Sequence, residues 1–155
     1  MDRTTLQRAK DLAAKHLGRR MRSEREIEMY LGGKGFDTDT ITQVVCDFRR
    51  VGLLDDRALI RNWADRRLAL RPSGRLALER KLAARGIDEE VLAQELDDIY
   101  ATVSEDDLCE KAAAGCLRRI GNLPAAKRRG KLYRFLLQRG FSRSVITEFL
   151  EEMDV

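Results

Sequence analysis

Three stretches of this chain align with one another without a gap: LGGKGFDTDTITQVVCDF from Leu31, LAARGIDEEVLAQELDDI from Leu82 and LLQRGFSRSVITEFLEEM from Leu136. Their starts are 51 and 54 residues apart. A period of about fifty residues means that the fold must stack three copies of one supersecondary unit. Equivalent positions keep their chemistry. Lys34, Arg85 and Arg139 precede Gly35, Gly86 and Gly140, and an apolar residue follows at Phe36, Ile87 and Phe141.

Each shared position has a helical reason. Leu78 with Leu82, and Leu92 with Leu96 and Ile99, recur at spacings of three and four, the apolar stripe of an amphipathic helix. The glycine follows the first stripe, where the chain leaves the helix in a left-handed conformation. Arg85, in the last turn, faces the negative end of the helix dipole. Asp37, Asp88 and Ser142 then stand where a side-chain oxygen caps the next helix.

A further helix precedes each pair, over Thr4–Leu17, Asp55–Leu70 and Glu105–Ile120. Gly52 closes the helix before the second of these, and Asp55 or Asp56 caps it. Pro72 and Pro124 separate this helix from its successor. Ser23-x-x-Glu26 is a capping box that opens the corresponding helix in the first unit. The expected fold is all-α: three tandem three-helix, helix-turn-helix-like repeats at 1–52, 53–102 and 103–155, forming an elongated, curved array of nine helices.

Leu, Ala, Arg and Glu dominate, and only two prolines occur, which favours helix over sheet. No apolar run approaches the roughly 20 residues that span a bilayer, and the polar N-terminus lacks the core of a signal peptide. A soluble, cytoplasmic protein without membrane contact is expected. Cys46, Cys109 and Cys116 lack C-x-x-C spacing, so neither zinc nor a disulfide framework is indicated. All three are expected as small apolar packers.

The net charge of +4 is mild, but it is segregated. Between Glu110 and Glu148 no acidic residue occurs, while ten lysines and arginines do. A second basic cluster, from Lys15 to Arg25, lies near the N-terminus. Asp88–Asp98 carries six carboxylates, Asp88, Glu89, Glu90, Glu95, Asp97 and Asp98, without one base.

Catalytic readings fare poorly. His16 is the only histidine, and no G-x-S-x-G accompanies it. Asp55–Asp56 is expected to cap a helix rather than hold a metal. The Gly32–Gly33–Lys34–Gly35 run follows a helix instead of a strand and lacks the Walker pattern. Trp63 shares a stripe with Leu59 and Leu70, which places it in a core rather than on a nucleic-acid base. No enzyme activity, cofactor or metal is expected.

GLLDDRALIRNWADRRL, from Gly52, followed by RLALERKLAARGIDEEVL, from Arg75, resembles the RecX family of bacterial recombinase regulators. The G-L-L-D-D stretch, the aromatic at Trp63 and the basic-Gly-apolar turn carry the resemblance, with Leu59 where the family often has Phe. The resemblance implies a small non-catalytic modulator of RecA that lodges along the RecA–DNA filament and blocks its growth or promotes its disassembly. It also implies binding to single- and double-stranded DNA without sequence preference, and roles in repair, recombination and the SOS response. A monomer is expected.

The basic candidates for contact with DNA or the filament are Arg66, Arg67, Arg71, Arg75, Arg80 and Lys81, then Arg118, Arg119, Lys127, Arg128, Arg129, Lys131 and Arg134. Glu89, Glu90, Asp97 and Asp98 are the acidic candidates facing a partner. A stand-alone helix-turn-helix DNA-binding module is the alternative, and it predicts a preferred duplex sequence.

Overall fold

The computed structural model describes residues 2–153. Among them lie nine helices and no strand: α1 (Arg3–Leu17), α2 (Glu24–Gly33), α3 (Thr38–Arg50), α4 (Asp56–Leu70), α5 (Arg75–Ala83), α6 (Glu89–Thr102), α7 (Glu105–Ile120), α8 (Ala125–Gln138) and α9 (Arg143–Met153). The caps explain the boundaries. Asp37 accepts the Thr40 N–H at 2.8 Å, Asp88 accepts from Glu90 and Val91, and Ser142 accepts from Val145. Ser23 and Glu26 form the reciprocal capping box. Gly35, Gly86 and Gly140 all take φ between 77° and 89°, the left-handed exit from the first helix of each pair.

Each repeat buries its own core. Ile27, Leu31, Phe36, Val44 and Phe48 meet Ala9 and Ala13 in repeat 1, and Leu54 closes this cluster from beyond Gly52. Leu59, Ile60, Leu78, Leu82 and Leu96 form the second core, and Leu108, Ala112, Leu132, Phe141 and Ile146 belong to the third. The accessible surface is 9803 Å². A compact monomer of this mass exposes about 8,000 Å². The excess is what three small cores in a row produce.

The repeats join through one device used twice. At the first junction the Glu24 N–H donates to Asp56, and Arg85 donates to the Met21 carbonyl at 2.8 Å. At the second, the Arg75 N–H donates to Glu105, and Arg139 donates to the Pro72 carbonyl at 3.1 Å. The positions are equivalent: the first residue of a second helix, the first residue of the next repeat's first helix, and the arginine of the glycine turn. Ser23 and Gly74 are the matching N-caps.

The junctions differ in substance. At the second, Gly74 N–H donates to the Arg139 carbonyl at 2.9 Å and Leu76 N–H to the Gly140 carbonyl at 3.1 Å. Leu68 and Tyr100 pack against both flanking cores. The first junction instead rests on side chains, above all Ser23, Glu26 and Arg85.

Arg85, expected to serve the helix dipole, is also a clamp between repeats, 2.8 Å from Glu26. Three expectations need correction. Leu70, one turn beyond the core stripe, is 86% exposed. Cys46 is exposed on α3, while Cys109 and Cys116 are buried. Glu95 leaves the acidic face of α6 and lies buried, 3.2 Å from both Arg57 and Arg61.

Candidate nucleic-acid interface

Basic residues of the molecule have different fates, and repeat 1 holds both kinds, since Arg3, Arg8, Lys15, Arg19, Arg22 and Lys34 form no ion pair among the described residues. Around repeat 1 and its junction, Lys10, Arg20, Arg25, Arg49, Arg50, Arg57, Arg61 and Arg85 all pair with carboxylates. The Arg49–Glu24 pair is bidentate, at 2.6 and 2.9 Å, and it holds the guanidinium pKa above its ordinary value. Among the described residues, Arg66, Arg67, Arg71, Lys111, Arg118, Arg119 and Arg139 form no ion pair. Their counter-charge must come from solvent or from a partner.

Helical spacing gathers these unpaired groups. On α4, Trp63, Arg66, Arg67 and Leu70 line a shallow cleft, with the Arg67 guanidinium 5.8 Å from the Trp63 ring centre. The chain then turns at Arg71–Pro72 into the second junction. There Pro72, Lys111, Gly115, Arg118, Arg119, Phe135 and Arg139 line a groove of about 350 Å³. The guanidinium groups of Arg119 and Arg139 lie 5.3 and 4.7 Å from the centre of the Phe135 ring. Phe135 therefore holds two cations against its ring. Burial, then Arg71, Arg119 and Arg67, push the Arg139 guanidinium below its ordinary pKa.

The α8 candidates split between two sides. Lys127, Lys131 and Arg134 are exposed and recur at i, i+4 and i+7, so they share one face beyond the groove. Arg129 turns the other way and donates to the Leu150 carbonyl at 3.2 Å, beside Tyr133. Arg128, half-buried, lies between these two directions.

The remaining candidates are placed elsewhere. Arg75 turns toward α6 and pairs with Asp97 at 2.6 Å, so two candidates of opposite sign meet each other. The exposed Arg80 donates to the Leu76 carbonyl, and Lys81 is exposed on another side of the short α5. Glu89, Glu90 and Asp98 are exposed on α6. Sequence reasoning passed over Arg139 and Phe135 as site residues. Arg139 carried a signal, as the repeat-equivalent of Lys34 and Arg85, but that signal was read as helix termination alone.

No group of three or more His, Cys, Asp or Glu among the described residues is arranged to hold a metal ion, and no described helix is long and apolar enough to cross a membrane. His16 stacks on Tyr30 with ring centres 3.9 Å apart, and burial followed by Arg22 and Arg19 lowers its pKa.

Comparison with known proteins adds an independent line. The chain matches the first, second and third three-helix domains of RecX over residues 9–47, 55–96 and 104–150. It is 34% identical over 133 residues to the regulatory protein RecX of Pelodictyon phaeoclathratiforme, covering 86% of this chain and 81% of that one. The RecX of Chlorobaculum tepidum is 30% identical over 148 residues, covering 96% and 89%. That of Lactococcus lactis subsp. cremoris is 28% identical over 148 residues, and there this chain spans only 55% of the relative's length. A crystal structure of RecX from Lactobacillus salivarius superposes with a TM-score of 0.87 at 18% identity, over 97% of both chains. That likeness concerns the fold.

Proposed function

The chain belongs to the RecX family of regulatory proteins, and on that premise we propose that it binds the RecA–DNA nucleoprotein filament and inhibits its growth, without catalysis of its own. Less filament means less strand exchange, ATP hydrolysis and coprotease activity, and so a brake on recombinational repair and the SOS response. The protein acts in the cytoplasm as a monomer of three repeats, 1–52, 53–102 and 103–155.

The observation that supports this reading best is the unpaired basic surface running from Arg66 through Arg119 and Arg139 to Lys131. A surface dense in unpaired cationic groups binds the backbone of single- or double-stranded DNA irrespective of sequence. The exposed acids of α6 give the array a second sign of charge, suited to basic recombinase surface. An isolated helix-turn-helix reader is less well supported. The helix after each glycine turn would enter the major groove, and in repeat 2 that helix opens with Asp88, Glu89 and Glu90.

The test is ATP hydrolysis and strand exchange by RecA on single-stranded DNA with purified protein added. Loss of both at well below one protein per RecA is expected. Unchanged rates at equimolar protein contradict the proposal.

A further inference from the structure

The two junctions share the helix-start contact and the arginine clamp, but the clamp differs in its partner. At the first, the clamp residue Arg85 has a carboxylate partner, Glu26, the third residue of α2, at 2.8 Å. At the second junction the equivalent third residue of α5 is Ala77. The Gly140 backbone passes close to it, since a Cβ on Gly140 would collide with the Ala77 backbone and Cβ. The clamp arginine there, Arg139, keeps its bond to the Pro72 carbonyl but has no acid. Other arginines take the acid's place around it. Arg119 shares the Phe135 ring with Arg139, Arg71 immediately precedes Pro72, whose carbonyl Arg139 holds, and Arg67 lies one helical turn before Arg71. The Arg67 Nε is buried and makes no hydrogen bond.

Four guanidinium groups without a counter-charge repel one another, and a single polyvalent anion removes that repulsion. Guanidinium geometry selects an oxyanion with paired acceptor oxygens, which phosphate supplies. We propose that Arg67, Arg71, Arg119 and Arg139 form a discrete phosphate-binding cradle that does for the second junction what Glu26 does for the first. Its ligand is a phosphodiester of a nucleic-acid strand or a free phosphate monoester. The strand as source rests on the DNA-contact reading above; the cradle itself does not. Occupancy tightens repeat 3 against repeat 2, because Arg139 holds the Pro72 carbonyl and the anion together.

Trp63 is the only tryptophan and lies under Arg67, so its fluorescence reports on the cradle. Inorganic phosphate, titrated at constant ionic strength with chloride as the balance, should change this emission saturably. Arg71→Gln and Arg119→Gln should each weaken the response at least tenfold. Neither side chain donates a hydrogen bond within the fold, so both variants keep wild-type helicity. A Lys127→Gln/Lys131→Gln/Arg134→Gln variant should titrate as wild type. A short oligonucleotide that displaces phosphate identifies the strand as source, and one that binds without displacing it identifies a monoester. An unsaturable response, or one equal in wild type and Arg71→Gln, overturns the cradle. The RecA assay is independent of this result, so either inference can fail alone.

Discussion

The Ser23 hydroxyl donates to the carbonyl oxygen of Arg85 over 2.6 Å, joining residues 62 positions apart, while the Ser23 Oγ itself accepts the Glu26 N–H at 3.0 Å. One side chain thus caps α2 and latches repeat 1 to repeat 2. Ser23→Ala should cost about 1–2 kcal/mol, as loss of a cap plus a buried hydrogen bond does. Urea unfolding measures the loss, and hydrogen exchange should show it concentrated in the first turn of α2 and in the α5–α6 turn. A double-mutant cycle on Arg85 and Glu26 should give a coupling of about 1 kcal/mol that shrinks with added salt.

The three turn glycines share a positive φ but not a neighbourhood. A Cβ on Gly35 meets nothing, one on Gly86 collides with the Cβ and Cγ of Arg25, and one on Gly140 strikes the Ala77 backbone. Gly35→Ala should therefore cost about 1–2 kcal/mol, the left-handed penalty alone. Gly140→Ala should cost a further ~1–3 kcal/mol from overpacking, with Gly86→Ala between the two because Arg25 must shift. Equal losses at Gly35 and Gly140 in thermal unfolding would show that the second junction is looser than described.

Two carboxyls at the first junction titrate in opposite senses. Burial raises Glu26, but the Ser23 N–H and Arg85 outweigh it and hold the group below its ordinary value. Its contribution is complete above the unfolded pKa of about 4.3 and is lost as pH falls through the folded value. Asp56 is raised, first by burial and then by Glu24 and Asp55, against the Glu24 N–H and Arg49. What it contributes in acid is lost as pH rises through that raised value. Glu26→Gln should lose about 1 kcal/mol at pH 7 and much less at pH 3. Asp56→Asn keeps an acceptor for the Glu24 N–H and should gain about 0.5 kcal/mol at pH 7 after solvent screening.

The cysteines should divide one to two under thiol reagents. Cys46 is exposed and should label within minutes. Burial, with Asp106 and Glu105 adding to it, pushes the Cys109 thiol up to about 12, and Cys116 is buried as well. Both should react only as fast as repeat 3 opens. Mass spectrometry over a labelling time course counts them directly.

Helix boundaries, caps and repeat frame were legible because each depends on neighbours within one turn. Asp37, Asp88 and Ser142 cap where their spacing from the glycine places them. What local pattern does not carry is which exposed-looking charge finds a partner elsewhere in the chain. Arg85 meets Glu26 from 59 positions away, Glu95 meets Arg57 and Arg61 across the α4–α6 packing, and Arg75 meets Asp97. Pairing removes those residues from the candidate surface, and the lack of it brings Arg139 in. The comparison of Glu26 with Ala77 across the repeats was available in principle. It needs the junction contacts to show that the two positions correspond.

The central claim is that unpaired basic groups from α4, α7 and α8 meet phosphates of the filament. The most direct measurement is affinity for RecA assembled on single-stranded DNA as a function of salt, for wild type and a Lys127→Glu/Lys131→Glu/Arg134→Glu variant. Three lost phosphate contacts should weaken binding at least tenfold near physiological salt and flatten the log–log salt slope by about 2. An unchanged affinity with an unchanged slope would contradict the account.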